Sequence, residues 1–456
     1  MGDAGHGPRP AYPVKTAKCL FRIAHSGEVA GRKTRYSRRD EREPGPDMAT
    51  LAVSANDDES RRRLTIGFNN FAHAVAHYVM LIFPTVVIGL EVVYGRPYGE
   101  LLALGTASFF AFGIFSLPAG WLADRWSRRY MMVVFYIGCG LSCAAAALSP
   151  NFIVLAVSLF ALGLFAAIYH PVGTAIVVAA ATNRGRTLAF NGVCGNIGVS
   201  LAAGITAALT AWLGWRGAFL VPAVICVATG IAYFVMVPDD RKLSAGRSSA
   251  PDVRLAMWMM VTVFGLFILI GTTAGLVFNT MTIALPKLID ERIGSGISLV
   301  AVGGIATAVF LCGAVAQLAV GRVIEKYPAH LVFAFTGLMQ FIGVVWVVYA
   351  TGYALLGALA FAIAFVYAQV TVNDFVIARY TADAWRARVY AVRYFITYVI
   401  SGAAITMIAF LHSRGGFDLV LTATAVIAVG FLIGTAAVAL LVNGVERESR
   451  AVQPAE

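Results

Sequence analysis

The sequence predicts an all-α membrane protein whose twelve transmembrane helices form two pseudo-symmetric six-helix bundles. The first observation is composition: 59% of the 456 residues are hydrophobic and only 13% are charged, with a mean hydropathy of +0.77. Soluble domains are about 45–50% apolar and about 25% charged, so such a chain cannot cover a water-facing surface. The second observation is a series of long apolar runs, and the third is an internal repeat.

Twelve apolar runs account for most of the chain, and a helix needs about 20 apolar residues to cross the hydrocarbon core. The predicted spans lie at 66–89, 100–122, 130–148, 152–178, 187–212, 217–237, 256–285, 297–320, 330–350, 353–377, 389–411 and 417–442. They give bundles at 64–237 and 255–442. The remaining stretches are interpreted as a basic, disordered cytoplasmic N-terminal tail (1–63, with Met48 an alternative start to Met1), a cytoplasmic linker (238–254) and a cytoplasmic C-terminal tail (443–456).

The distribution of Lys and Arg orients these spans. With both termini in the cytoplasm, the cytoplasmic connections and the C-terminal tail carry 17 basic residues, and the opposite side carries 5. Cytoplasmic loops of membrane proteins are enriched in Lys and Arg. We therefore interpret the net charge of +11 as topological. No basic face with interleaved aromatic residues indicates a nucleic-acid partner.

The internal repeat divides the chain into two halves. Residues 120–125 recur at 321–326, residues 184–186 recur at 386–388, and residues 77–84 recur at 279–286. The three offsets agree within one residue. Duplicated helix bundles joined by a polar linker are typical of transporters, in which the substrate site lies between the halves near the bilayer midplane.

One segment carries a family signature. The run Gly120-Trp121-Leu122-Ala123-Asp124-Arg125-Trp126-Ser127-Arg128-Arg129 closely resembles the pattern G-x-L-A-D-R-x-G-R-R that the major facilitator superfamily carries after its second span, with Ser127 in place of a glycine. The resemblance covers 64–442. In that family the cluster latches the cytoplasmic side in the outward-open state. It implies a cytoplasmic gate formed by Gly120, Asp124, Arg125, Arg128 and Arg129, with Glu325 in the weaker second copy. A purely topogenic charge cluster is the alternative.

Further residues resemble the fosmidomycin-resistance-like branch of this superfamily. They are the run from Tyr169 to Gly173, the residues 184–186 and the glycine-rich run from Asn191 to Gly198. This resemblance implies efflux of a small organic solute, driven by proton antiport. The basic residues that nitrate porters carry inside spans 2 and 8 are absent here. Uptake of a small organic acid is the alternative.

Two histidines of the first span are candidates for the substrate or proton pathway. His77 lies 14 residues after Arg63, which places it about 21 Å into the span, and His73 lies one turn earlier. Polar groups this deep are costly and usually functional. The pair can carry protons, contact substrate or be structural. Because no carboxylate or third ligand accompanies it, no metal site is predicted.

Other polar residues inside the spans complete the predicted pathway and gate. His170 precedes Pro171, whose freed carbonyl the imidazole could satisfy; structural and gating roles are both open. Asp374 and Arg393 form either an ion pair at the gate or part of the proton-coupling machinery. The remaining pathway candidates are Asn196 in the fifth span, Asn279 as the repeat of His77, and Gln369 and Asn373 on the tenth span.

These features predict a secondary active transporter that works by alternating access. No catalytic residues, cofactor or nucleotide-binding loop are indicated, so an enzyme is not expected. The expected partners are a small-molecule solute, protons and the lipid bilayer, and the chain is expected to be a monomer. A rival of another class is a non-transporting membrane sensor or scaffold. Arg outnumbers Lys by 29 to 6, a bias common in GC-rich bacteria, which favours a bacterial inner (plasma) membrane.

Overall fold

A computed structural model describes residues 48–238, 257–293, 296–380 and 383–452. Within these ranges, side chains are described except at 48–58, 184–185, 257–264, 378–380, 383–391, 393–394 and 444–452. The predictions for residues 1–47 of the N-terminal tail, for the choice between Met1 and Met48 and for most of the linker therefore lie outside the described residues. Residues 48–63, which were expected to belong to the disordered tail, instead form the first part of the helix Met48–Tyr94. Both predicted bundles lie within one compact unit, Ala55–Glu456.

The described part of the chain is a series of α-helices. In order they are α1 (Met48–Tyr94), α2 (Tyr98–Ala103), α3 (Thr106–Ile114), α4 (Ser116–Arg125), α5 (Arg128–Ala147), α6 (Phe152–Ala166), α7 (Tyr169–Ala180), α8 (Arg184–Met236), α9 (Met257–Ile293), α10 (Leu299–Lys326), α11 (Ala329–Tyr349), α12 (Ala354–Tyr380) and α13 (Asp383–Val452). Nine stretches of the described chain are long and apolar enough to cross a membrane, and ten if the bent pair Tyr98–Ile114 and Ser116–Arg125 is one span.

Two of these stretches are much longer than a bilayer is thick. The stretch Arg186–Met236 has 51 residues and Phe395–Asn443 has 49, whereas a span needs about 20. Each contains a break at glycine: Gly214 has a φ of 72° and Gly416 has a φ of 58°. Both angles lie in the left-handed region that side chains other than glycine disfavour. Each long helix therefore reverses direction or bends sharply at its glycine.

Short polar caps start several helices. Ser127 accepts a hydrogen bond from the backbone N of Tyr130 at 3.3 Å and begins α5. Asn151 does the same for α6 at 2.9 Å, and Asn183 for α8 at 3.1 Å. A side-chain oxygen at this position satisfies one of the free N–H groups of the first turn. The caps let the chain turn tightly between successive spans.

The two halves meet along equivalent helices. The N-terminal part of α8 packs on α10, and α3 packs on α13. Shifting α3 by about 200 residues reaches α10, and the same shift carries α8 to α13, so the two contacts are related by the repeat. In addition, every residue from 151 to 177 except Phe160 has the same burial class as the residue 200 positions later. The polar residues between the halves therefore lie among helices that the internal repeat relates by pseudo-symmetry.

The outward faces of the helices carry large apolar side chains. Trp212, Leu148 and Ile153 are each at least 75% exposed, which is unusual for a water-soluble surface. A lipid-facing surface has this character, because the hydrocarbon core is as apolar as the side chains themselves. The exposed apolar faces therefore fit a chain that spans a membrane repeatedly.

Candidate functional site

Three histidines form a cluster inside the helices, which we call the histidine cluster. His73 and His77 lie on α1, and His170 lies at the start of α7. The three ring centroids are 5.0, 5.3 and 5.2 Å apart. One nitrogen from each ring lies within 4.8 Å of the corresponding nitrogens of the other two. The cluster thus concentrates three polar, titratable side chains within long apolar helices.

A backbone hydrogen bond orients His73. Its Nδ1 lies 2.7 Å from the carbonyl oxygen of Asn191 on α8. Because a carbonyl only accepts, Nδ1 carries the proton and Nε2 keeps its lone pair. A Cβ at Gly195 would lie 2.6 Å from this Nε2. Gly195 therefore provides the space that the ring occupies.

A buried amide network supports the same part of α8. Asn191 donates through Nδ2 to Asn70 Oδ1 at 2.9 Å, and Tyr169 donates through its hydroxyl to Asn191 Oδ1 at 3.1 Å. The Tyr169 ring stacks on His73 at 4.8 Å. Buried polar groups that satisfy one another make a rigid arrangement. The network joins α1, α7 and α8 around the histidine cluster.

The histidine cluster reaches the other half of the chain through an aromatic contact. The ring of Tyr398 on α13 lies 4.6 Å from that of His170, and Phe112 on α3 lies 5.0 Å from Tyr398 and 5.7 Å from His170. His170 and Phe112 belong to the N-terminal half, and Tyr398 belongs to the C-terminal half. The cluster therefore lies where the two halves meet, as expected for the site of a transporter.

The position of His170 differs from the sequence prediction. The sequence separates it from His73 and His77 and places it toward the gate, whereas its ring packs against both. Its Nε2 is buried and has no hydrogen-bond partner among the described residues. The premise that no third ligand accompanies the histidine pair is therefore wrong.

The sequence itself indicates the depth of His170 in the membrane. His170 lies 14 residues before Arg184, and His77 lies 14 residues after Arg63. At 1.5 Å per residue both distances are about 21 Å. Since the two arginines are predicted on the same membrane side, the histidines are predicted at the same depth. Periodicity along one helix does not reveal this, because it compares positions within that helix only.

Two other candidates lie away from the histidine cluster. Asn196 on α8 hydrogen-bonds Gln317 on α10, so it joins the two halves, and Gln317 is a partner that the sequence analysis missed. Asn279 donates through Nδ2 to the Gly275 carbonyl of its own helix at 2.8 Å. The repeat partner of His77 is thus satisfied locally in this conformation.

The candidates on α12 form a separate polar strip. Gln369 and Asn373 are buried, and Asp374 is half-buried. Gln369 Oε1 has no hydrogen-bond partner among the described residues. Arg393 belongs to α13, but its side chain is not among those described. The proposed Asp374–Arg393 pair therefore lies outside the described residues.

The signature segment pairs within the N-terminal half. Arg128 donates to Asp124 at 2.9 Å. Arg129 donates through Nε to the Val237 carbonyl at 2.5 Å, where it caps the end of α8, because cations stabilise the free carbonyls of a helix C-terminus. Arg125 lies over the Trp121 ring at 4.0 Å.

Gly120 and Glu325, one from each copy of the signature, lie in different surroundings. A Cβ at Gly120 would lie 3.1 Å from Pro171. Because glycine has no Cβ, α4 can approach α7 closely next to the histidine cluster. Glu325, in the second copy of the signature, is exposed at the end of α10. The described hydrogen bonds and ion pairs of Asp124, Arg128 and Arg129 do not cross to the C-terminal half.

The opposite end of the helices, which we call the Lys287 end, is tightly closed. Lys287 on α9 lies 2.5 Å from Glu91 on α1 and 2.8 Å from Asp290. His412 on α13 lies 3.0 Å from Glu291. All residues from 82 to 88 and from 280 to 289 are buried. This ion-pair network between the halves was missed by the sequence analysis, which treated Lys287 only as an orientation charge.

Comparison with known proteins gives the family. The model of the Major Facilitator Superfamily matches residues 68–376, which is more than half of the chain. Among curated proteins, the chain is 32% identical over 117 residues to "Uncharacterized MFS-type transporter YfnC" of Bacillus subtilis (strain 168), covering 25% of this chain and 29% of that protein. It is 28% identical over 139 residues to a "Probable L-galactonate transporter" of Escherichia coli (strain K12), covering 30% and 31%.

A third relative extends the comparison. The chain is 27% identical over 231 residues to a "Chloramphenicol resistance protein" of Streptomyces lividans, covering 49% of this chain and 56% of that protein. The matches thus span between 29% and 56% of these relatives' own lengths.

The solved structures show the same fold. A bacterial homologue of the human lysosomal transporter Spinster, in an inward-facing and unoccupied conformation, aligns with a TM-score of 0.67 at 14% identity, covering 83% of this chain and 96% of that one. A D-xylose–proton symporter aligns with a TM-score of 0.65 at 13% identity, covering 82% and 96%. With the matched family and the apolar helices, the chain belongs to the Major Facilitator Superfamily, a family of transporters rather than enzymes, and is a multi-pass membrane protein.

Proposed function

We propose that this chain exports a small organic solute by alternating access, with protons as the coupling ion, and that the histidine cluster lies on the solute pathway. The observation that carries the proposal is the contact of His170 with Tyr398 at 4.6 Å. It places polar side chains of one half against the other half, inside apolar helices. Polar groups in that position are energetically costly, and proteins keep them mainly where they serve transport or are satisfied by other polar groups.

The contacts at the two ends of the helices differ, and the difference indicates the side to which this conformation is open. The Lys287 end is closed by an ion pair between the halves, whereas the described pairs of Asp124 and Arg129 stay within the N-terminal half. If the Asp124 end is cytoplasmic, as the basic residues predict, this arrangement corresponds to an inward-facing state. We propose twelve spans, because each of the two glycine-broken helices is long enough to be counted as two among the ten candidates.

Efflux is favoured by one relative and uptake by another. The chloramphenicol resistance protein is matched over about half of this chain, and the resemblance to the fosmidomycin-resistance-like branch also implies efflux. The probable L-galactonate transporter supports the second candidate, uptake of a small organic acid. The D-xylose–proton symporter supports protons as the coupling ion. A bacterial inner membrane and a monomeric state remain part of the proposal.

The test uses an efflux-deficient bacterium that expresses the full chain. Growth inhibition is recorded for a panel that includes fosmidomycin and chloramphenicol, beside Asp124→Asn. Resistance to one compound that is lost in the variant supports efflux and supplies a ligand. Unchanged sensitivity despite confirmed membrane expression contradicts efflux, and uptake of labelled sugar acids is then measured in the same cells.

The coupling ion and the rival class are tested in proteoliposomes. An imposed pH gradient should accelerate movement of the identified solute, and solute movement should in turn change the internal pH. Lack of any response to the gradient contradicts proton coupling. A sensor or scaffold would keep its function when His77→Leu and Asn279→Leu are introduced, whereas a transporter should lose it, since both changes remove polarity from the proposed pathway.

A further inference from the structure

We propose that His73, His77 and His170 bind one divalent transition-metal ion through their imidazole nitrogens. The inference goes beyond the proposed function, because metal binding is a property of the purified protein that needs neither solute nor gradient. From the sequence no metal site is expected here, because His73 and His77 have no third ligand near them along the chain. The fold supplies the third ligand from α7.

The spacing of the nitrogens suits a single ion. Three points that lie within 4.8 Å of one another fit inside a circle of radius about 2.8 Å, whereas a zinc–imidazole bond is about 2.0–2.1 Å long. Each ring must therefore move by less than about 1 Å toward the centre. Small side-chain rotations achieve this without a change in the helices.

The chemistry of the ligands limits which metal ions can bind. The group consists of imidazoles alone among the described residues, and imidazole suits Zn²⁺, Ni²⁺, Co²⁺ and Cu²⁺. Mg²⁺ and Ca²⁺ require oxygen ligands. Three protein ligands leave a tetrahedral ion one open position, as in sites that exchange a bound water or solute.

Support around the cluster fits metal ligation. Ligating histidines donate their second ring N–H to a carbonyl or carboxylate, which fixes the ring and the tautomer. His73 makes this contact with the Asn191 carbonyl at 2.7 Å, and Asn191 is held by Asn70 at 2.9 Å. Gly195 leaves the Nε2 of His73 unobstructed by a Cβ. The nitrogen that keeps its lone pair is therefore oriented by the hydrogen bond that the other ring nitrogen makes.

Packing alone does not account for the cluster. Aromatic stacking explains the contact of His73 with Tyr169, but it leaves His170 Nε2 buried without a hydrogen-bond partner among the described residues. A buried nitrogen with no partner destabilises the fold. A metal ion would satisfy this nitrogen and the two others at once.

The experiment measures metal binding to the full chain, purified in detergent without a polyhistidine tag. Zn²⁺ is titrated by calorimetry, and bound metal is counted after gel filtration. Co²⁺ is added separately, because nitrogen-ligated tetrahedral Co²⁺ gives an intense visible spectrum. We expect one metal ion per chain and such a spectrum. The variants His77→Gln and His170→Gln should each weaken binding at least tenfold.

The control is His330→Gln, which changes a buried histidine that contacts Asn443 outside the cluster and should leave binding unchanged. Two results overturn the proposal: wild-type protein that binds no Zn²⁺ and gives no Co²⁺ spectrum, or equal binding when all three histidines are replaced. The first needs no variant, so it stands even where a substitution prevents folding. Neither result affects the transport test.

Discussion

Lys287 on α9 and Glu91 on α1 form an ion pair between the two halves of the chain, with 2.5 Å between Nζ and Oε2. The Lys287 side chain is 9% exposed and Glu91 is 23% exposed, so the pair is shielded far more than a surface salt bridge. Asp290 and Glu291 lie 2.8 and 3.6 Å from the same ammonium group. One lysine therefore pairs with a group of three carboxylates where the halves close.

Replacing Lys287→Met should destabilise this closed end. The change leaves Glu91, Asp290 and Glu291 without their shared cation, and we expect a loss of about 1–3 kcal/mol in unfolding free energy, between the values for exposed and buried pairs. Thermal unfolding in mild detergent measures it. The control Arg96→Met removes the exposed pair with Glu100 and should change stability by less than about 1 kcal/mol. Equal effects of both variants would show that the Lys287 pair has no special role.

Gly195→Ala should displace His73. The added Cβ would lie 2.6 Å from the imidazole Nε2, and overpacking of this kind costs about 1–3 kcal/mol. We expect at least a tenfold loss of solute transport while the protein still elutes as a single species. The matched control is Gly192→Ala on the same helix, where nothing lies within 4 Å of the added Cβ. Transport that is equally reduced in the control would contradict the explanation by His73.

Asn191→Leu should weaken the polar network behind the histidine cluster. The substitution removes the amide that donates to Asn70 at 2.9 Å and contacts the Tyr169 hydroxyl at 3.1 Å. Buried groups that lose their partners cost about 1–3 kcal/mol, which chemical unfolding in detergent can measure. Tyr169→Phe removes only the hydroxyl and should have the smaller effect. The interpretation fails if the order of the two effects is reversed.

Asp124→Asn should affect transport more than stability. Asp124 is 67% exposed and pairs with Arg128 within its own half, so the loss of this pair should change the unfolding free energy by less than about 1 kcal/mol. By resemblance to the family, the carboxylate is needed when the cytoplasmic side closes, and we expect at least a tenfold slower transport. Glu100→Gln, an exposed acid at the other end, is the control. A stability loss that accounts for the slower transport would argue against a gate.

The apolar runs, the charge distribution and the signature at Gly120 to Arg129 were sufficient to predict the membrane helices and the family. These features follow from the solvent: a bilayer requires apolar helices of a set length and excludes charge. The sequence also predicted that His73 and His77 lie deep in one span, because depth depends only on the number of residues from a charged end. The helix breaks at Gly214 and Gly416 lie within two residues of a predicted span boundary.

The tertiary structure decided which distant residues meet. His170 joins His73 and His77 because α7 packs beside α1 and α8, and Lys287 meets Glu91 because the two halves close at that end. Such contacts depend on the packing of helices separated by about 100 to 200 residues, and no periodicity along one helix reports them. Local sequence thus determined the helices and their depth, whereas the arrangement of the helices determined the histidine cluster and the ion-pair network that joins the halves.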